Sequence, residues 1–491
     1  MKKNFILLAL GATTSFASFS QLTTPGNGTK YDLAALSALD PTILSFDGTK
    51  YQLTDDLVIS ATDTLEVTTS DTLLLDSEKE ITIEGSFIAD PGSGNTKFFI
   101  SSTDTLMPGD GFRFEEFSVG KIHNTEIVYT GGLKVLTEDF HIEDSYLAHN
   151  VAGSSTGAAI SLSRGAAVIK NNTFYKNDLP GVSSGANQQV SAQIIGNVFE
   201  KNVQENQNRP QINMGPTGAD TLRIIENTII GDPNQIKVGG IAVSNFFGDD
   251  IYVEIENNEI RDNRYGMTIS GVNATAMIRG NIIEDNNTQN DPMLGGSGIA
   301  LSSSDDSHNI VARQNQIRGN LWGITLMTEA SIDLGTANDL GGNVFANNGN
   351  NGNTFALFNN TPLDISAMGN CWIEGSPNAD SVTIEDVISH TPDDANLGTV
   401  DFSEFTCSTV STSSEELNTL SIYPNPAINE ITIDNANEYN SAKIYNTSGR
   451  VFQTVQLENG HKTIQLDLPS GMYIVQLKGD SKVMTKKLII E

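Results

Sequence analysis

The sequence predicts an all-β chain: a right-handed parallel β-helix, which is a single-stranded solenoid, followed by a small antiparallel Ig-like β-sandwich. Three observations carry that prediction. A short frame, asparagine–x–apolar with a second polar residue five positions after the first, returns about every 28 residues through the middle of the chain, a period that marks solenoids. Around each copy, apolar and polar residues alternate at period two, so each copy holds short strands with one inward side. After residue 420 the repeat stops, and longer alternating strands follow, with turn signals at 446–449 and 469–471.

The elements follow in chain order. The opening "MKKNFILLALGATTSFASFSQ" has two lysines, a short apolar run and small residues at Ser18 and Ser20. Residues 1–20 therefore read as a secretory signal, with cleavage expected before Gln21. The run is too short to span a bilayer, and no second long apolar stretch follows, so no transmembrane segment is expected. Residues 21–44 form an N-terminal segment. From 45 to 140 the alternating stretches "YQLTDDLVIS", "DTLLLDSEKEITIEGSFIAD" and "NTKFFIS" are the opening coils of a β-helix that extends to about residue 405.

The repeat is clearest between residues 145 and 348. Its anchors are Asn172, Asn197, Asn227, Asn258, Asn281, Asn315 and Asn343, preceded by a degenerate copy at Ser145. The steps between these positions are 27, 25, 30, 31, 23, 34 and 28 residues. Three and five residues before the anchors stand apolar pairs such as Ala167 and Ile169, Ala192 and Ile194, and Val253 and Ile255. After the anchor comes a buried-type residue and then a second strand: Ile160/Leu162, Ile212/Met214, Ile241/Val243, Met267/Ile269, Ile299/Leu301, Ile324/Leu326 and Phe355/Leu357. If coils stack about 4.8 Å apart, the seven anchors form a ladder in which each amide pairs with the copies above and below. Stacking also predicts charge columns: Arg261 over Glu284 and Arg318, and Glu256 over Arg279 and Arg313.

Residues 365–405 are expected to cap the open end of the solenoid. "GNCWIEG" and the later "VDFSEF" resemble a closing segment of secreted β-helix proteins of the pectate-lyase-like superfamily, with Ile373 where glycine is usual. The two cysteines, Cys371 and Cys407, fall in this region, and a secreted setting favours their pairing as a disulfide over two free thiols. A Ser/Thr-rich linker, 406–420, leads to the tail at 421–491. There Pro424-Asn425-Pro426-Ala427, Ser448-Gly449-Arg450, Gly471-Met472-Tyr473 and Lys486-Lys487 strongly resemble the type A C-terminal sorting domain of type IX secretion cargo in Bacteroidetes. The resemblance implies passage across the outer membrane, a partner in the type IX secretion machinery, and an extracellular or surface-attached product.

Charge narrows the remaining functions. The chain has 28 basic and 60 acidic residues, for a formal charge of −32. The stretch 418–491 holds seven of each and the leader two lysines, which leaves 19 basic and 53 acidic residues, or −34, on 21–417. A body so acidic repels nucleic acid and anionic membranes, and polyanions too unless calcium intervenes. Calcium is the one cofactor the sequence suggests, at Asp249-Asp250 and Asp305-Asp306 after second strands on different coils, where the same carboxylates serve solubility as readily. The outward residues of the second strand (Ser161, Asn213, Ala242, Thr268, Ala300, Thr325 and Ala356) are small and uncharged and hold no carboxylate pair for hydrolysis. "GSSTG" at Gly153 and "GVSSG" at Gly181 match Gly-x-Ser-x-Gly but are expected in loops without a following helix. The six histidines show no metal-ligand spacing. Tyr265 and Trp322 occupy equivalent positions and read as packing or as a sugar-stacking platform. The Asp-Thr-Leu triplets at Asp63, Asp71, Asp104 and Asp220 resemble O-glycosylation acceptors of Bacteroidetes. Two readings remain: a non-catalytic, adhesin-like β-helix that binds glycan, matrix or neighbouring surfaces, and an extracellular lyase or hydrolase of an acidic polysaccharide.

Overall fold

In the solenoid, each strand is short and buries alternate residues on one side only, so it is stable only when its neighbours complete the core. The computed structural model shows how they do so. It describes residues 21–92, 97–407 and, in the tail, 421–423, 427–434, 436, 439–446, 451–457, 462–466, 468–479 and 483–490. The leader, most of the linker and the tail residues Pro424, Asn425, Pro426 and Gly449 lie outside the described residues, as does the side chain of Lys487.

Three long sheets run through residues 21–389, with 11, 13 and 14 strands, and almost all pairings are parallel. One coil supplies one strand to each. Val168–Lys170 lies in the first face, Thr173–Tyr175 in the second and Val182–Ser184 in the third, and the next coil returns to the first face at Gln193–Ile195. This is a parallel β-helix. Its interior is a stack of like residues. Phe174 and Phe199 are stacked with centroids 4.6 Å apart, Ile229, Ile260, Ile283 and Ile317 continue their column, and Phe345 lies on Trp372 at 4.9 Å.

The asparagine anchors form one column. Asn172, Asn197, Asn227, Asn258, Asn281, Asn315 and Asn343 are all buried, and the column runs on to Asn370. The bonding repeats at every step. Asn258 donates its backbone N–H and its Nδ2 to Asn281 Oδ1, both at 2.9 Å, and its Nδ2 also donates to the Ile224 carbonyl at 2.8 Å. The residue before each anchor turns into the left-handed region, at Asn171, Gly196, Glu226, Asn257, Gly280, Gln314 and Gly342. This sharp bend would leave corner amides dry, and the ladder satisfies them.

A second amide column, five residues on, closes the other corner of the second face. Asn150, Asn177 and Asn202 are linked in series, as are Asn263, Asn286, Asn320 and Asn348. Between the two runs the repeat offers Asp232, a carboxylate that cannot donate. Gln211, from the third face, fills the gap: its Oε1 accepts from Asn202 Nδ2 at 3.1 Å, and its Nε2 donates to Asn263 Oδ1 at 3.0 Å.

The ends differ from the sequence reading in detail. Gln21–Thr23 and Lys30–Tyr31 already pair in parallel with Asp56–Ile59 and Thr64–Val67, so the coil begins before residue 45. The helix Leu33–Leu39, capped by Asp32, buries Leu33 and Leu36 at that end. Asp63 secures the segment by accepting from the backbone N–H groups of Gly26, Asn27, Gly28 and Thr29. At the far end Ile365–Ser366 pairs with Val400–Asp401, Ile388–Ser389 adds the last rung of the third face, and Ile373 packs against the core. Cys371 and Cys407 are joined in a disulfide across 36 residues.

The charge columns have the expected register, but not all of the pairing. Arg318 meets Glu284 at 2.9 Å and Glu374 at 2.6 Å. Arg261 turns instead to its own neighbours Glu259 and Asp262. Arg313 is not a solvated rung: it is 3% exposed and held by Asp333 and Asp339, because the chain after Thr328 wraps over it.

The tail is a separate compact unit of two antiparallel sheets, with three and four strands. Ala427, Ile431, Ile444, Tyr473, Val475 and Leu488 are among its core residues.

Two outcomes follow from the ladder and the disulfide. Asn281→Ala leaves the backbone N–H and Nδ2 of Asn258 without their acceptor, and should cost about 2–5 kcal/mol in urea unfolding, with hydrogen exchange rising first in rungs 255–285. Replacing Cys371 and Cys407 together by alanine should cost about 4 kcal/mol by the chain-entropy estimate for a loop of this length. That loss should be concentrated in exchange of residues 365–405.

Candidate functional site

The outer side of the third face carries more chemistry than its second-strand repeats suggested. Register places Ser183 between Ser161 and Asn213, and puts Phe358, not Ala356, after Thr325. The Val182–Ser184 coil was missed because it offers only one aliphatic residue; at the other end, Leu357 and Asn359, not Phe355 and Leu357, point inward. The row also extends towards the N-terminus, to Lys134 and Arg113. It is therefore not uncharged throughout. Beyond Thr82 and Val58, which continue the row, the Arg113 and Lys134 coils are basic at the centre, between acidic groups at both margins.

One margin holds Asp56, Glu80 and Asp110, with Ser154 Oγ against Glu80. Burial raises the Asp110 carboxyl above its ordinary pKa, and the charges of Glu80, Glu78 and Asp56 raise it further. The other margin is the turn from the third face to the first. There Glu115, Glu116, Glu138 and Arg164 share a hollow of about 600 Å3 with the amides of Asn187, Gln188 and Gln189. Four successive coils contribute to it. Arg164 contacts Glu116, and Arg113 contacts Glu115, so both guanidinium groups are already neutralised.

Exposed rings stand along the same edge. Phe117 is 89% exposed on the first loop of the hollow, while Phe246 and Phe247 are 69% and 71% exposed on a loop five rungs further along. At the spacing of neighbouring strands the two positions are about 24 Å apart. Gln189 reaches from the hollow to Asp249, close in sequence to Phe246 and Phe247, at 3.4 Å. Rings so exposed are open to a partner, and Phe246 and Phe247 are adjacent.

A second hollow of about 250 Å3 adjoins the first and shares Ser163 and Gln188 with it. It lies over Lys134, Ser161 and Ser183. Ser183 belongs to the strand Val182–Ser184, so the Gly-x-Ser-x-Gly match at Gly181 is a strand and not a loop. In the match at Gly153, Ser155 is buried and bonded to the Ala158 carbonyl and to Ser161 Oγ.

The other candidates are dispersed. Asp249-Asp250 and Asp305-Asp306 are on loops two rungs apart, and Asp305 is engaged by Ser307. Among the described residues no three carboxylate, histidine or cysteine groups converge as a metal site. Tyr265 and Trp322 share a column, separated by Ser297. Tyr265 lies flat on Gly239, where a Cβ would sit 2.1 Å from the ring; burial pushes its phenol up to about 12, though part of the ring reaches solvent. Trp322 Nε1 donates to the Pro292 carbonyl at 3.0 Å, and the ring packs on Phe355 and Phe358. Of the Asp-Thr-Leu triplets, Asp63 is buried in its backbone nest, and 104–106 is fully exposed.

Residues 421–491 match the family described as the secretion system C-terminal sorting domain. The chain carries a type IX sorting tail. That tail directs it to the cell surface or the extracellular space through the type IX secretion machinery. Residues 224–379, within the β-helix, match a family described as a protein of unknown function, DUF1565. Comparison with curated proteins and with solved structures gives no match. Among the described residues no helix is long and apolar enough to cross a membrane.

The acidic margin has a measurable signature. Because the Asp110 pKa is raised in the folded state, its penalty is full above that folded pKa and disappears as pH falls towards the unfolded value of 3.8. Asp110→Asn should therefore stabilise the protein at neutral pH, by at most about 1 kcal/mol after solvent screening. The gain should vanish on acidification in a series of thermal melts.

Proposed function

We propose that the chain is exported cargo whose β-helix binds an extracellular glycan along the edge between its third and first faces, without cleaving it. One observation carries the reading: four consecutive coils place hydroxyl, amide and carboxylate groups in one open hollow, and solvent-exposed phenylalanines lie along the same straight edge. Sugars present alternating hydroxyl edges and apolar C–H faces, and this surface offers a partner for each. The solenoid holds the loops at a fixed spacing, so the site is preorganised and ordering it costs little. Such a surface suits an adhesin-like protein that must grip matrix or a neighbouring cell.

A second reading, lyase or hydrolase, draws on the basic residues Arg113 and Lys134 beside carboxylates on both margins. The binding reading has more support, because Arg113 and Arg164 are each engaged by a glutamate and no histidine lines either hollow.

The test is retention of the intact chain in gels containing neutral and charged polysaccharides. At least one should retard it, and Phe117→Ala should weaken that retention about tenfold, the value of one buried aromatic ring, with a larger loss from the double change Phe246→Ala, Phe247→Ala. Failure of every polysaccharide to retard the chain would overturn the reading. Appearance of unsaturated or reducing ends during incubation, with and without calcium, would replace it with the enzymatic one.

A further inference from the structure

The smaller hollow has a chemistry of its own. Lys134 is half-buried on the outer row, and no carboxylate pairs with it among the described residues, unlike its neighbours Arg113 and Arg164. Around it the hollow gathers the hydroxyls of Thr156, Ser163 and Ser183 and the amide of Gln188, while Ser161 Oγ is held by Ser155 Oγ at 2.7 Å. Gly157 forms part of the wall, where a Cβ would sit 2.7 Å from Ser183 Oγ and 2.8 Å from Ser161 Oγ, so the loop closes tightly over the hydroxyls. An unpaired ammonium in a ring of short hydroxyl donors fits a compact oxyanion.

We infer that this hollow is a subsite for one anionic substituent, a carboxylate or a sulfate ester, on an otherwise neutral sugar chain. The inference rests on the glycan-binding reading and deepens it. Shared residues Ser163 and Gln188 make the subsite part of the same track, so the anionic unit would sit within a longer bound chain. The charge must be sparse. Glu115, Glu116 and Glu138 line the adjoining hollow, and the body as a whole carries a large negative charge, so a uniformly charged polyanion would be repelled one or two units away.

Titration of the intact chain with a hexuronate, a monosulfated hexose and the corresponding neutral hexose tests the subsite directly. One or both anions should bind, the neutral sugar should not, and binding should weaken as salt rises. Lys134→Gln should weaken it at least tenfold, while Lys170→Gln, an exposed change on the first face, should leave it intact. The two anion arms show which group is taken. Equal binding of the neutral hexose, anion binding that survives Lys134→Gln, or no binding by either anion would overturn the subsite. Polysaccharide retention through Phe117 is read separately, so loss of the subsite and loss of the glycan-binding reading are distinguishable.

Discussion

A side-chain amide that donates and accepts at the same corner of every coil is the interaction on which the molecule depends. A chain that turns sharply twice per coil buries backbone N–H and C=O groups that neither sheet can satisfy. Asparagine is short enough to stay inside the corner, and it has two donors and an acceptor, so one residue per corner meets both needs. Each amide is bonded to the rungs on either side, which makes the column cooperative along the axis. The substitution at Asp232 shows how strict the requirement is. A carboxylate cannot continue the chain of donors, and Gln211 crosses from another face to restore it.

That constraint explains which parts of the architecture were legible in the sequence. The first ladder, the inward pairs on the first face and the stacked column from Phe174 to Phe345 are fixed by period and residue type, and both survive any loop length. The second ladder was equally visible in the frame, five residues after the first, but an amide and a loop residue look alike until coordinates place them. Register errors arose where the pattern thins. Val182–Ser184 contributes one aliphatic residue, and the strand at Leu357 buries Asn359 in the inward row, so a rule that counts apolar pairs skips one and shifts the other by two.

The candidate site was hardest to read because it is assembled across coils. Glu116, Glu138, Arg164 and Gln188 are separated by 22 to 26 residues at each step, in loops whose lengths differ, and only stacking brings them together. Periodicity reports positions that repeat. A binding surface is built from positions that do not. Arg113 and Lys134 are illegible for a related reason: they precede the first asparagine anchor, where no ladder marks the outward row.

This division of labour has a consequence for the electrostatics. The inward rows are apolar and the corner ladders are mostly amides, so the body's acidic residues lie mostly on outward rows and loops, where carboxylates repel one another and favour solubility. Most cations on this surface are engaged by those carboxylates, as Arg113, Arg164, Arg261 and Arg318 are. A cation left unpaired in such a field is costly to strip of water unless something else solvates it. Beside Lys134 the hollow is lined by serine and threonine hydroxyls, and those not already bonded can rotate to donate when an anion arrives. The same field that excludes polyanions thus sharpens selection at this point, because only a ligand whose charge falls on Lys134 and nowhere else along the edge escapes repulsion from Glu115, Glu116 and Glu138.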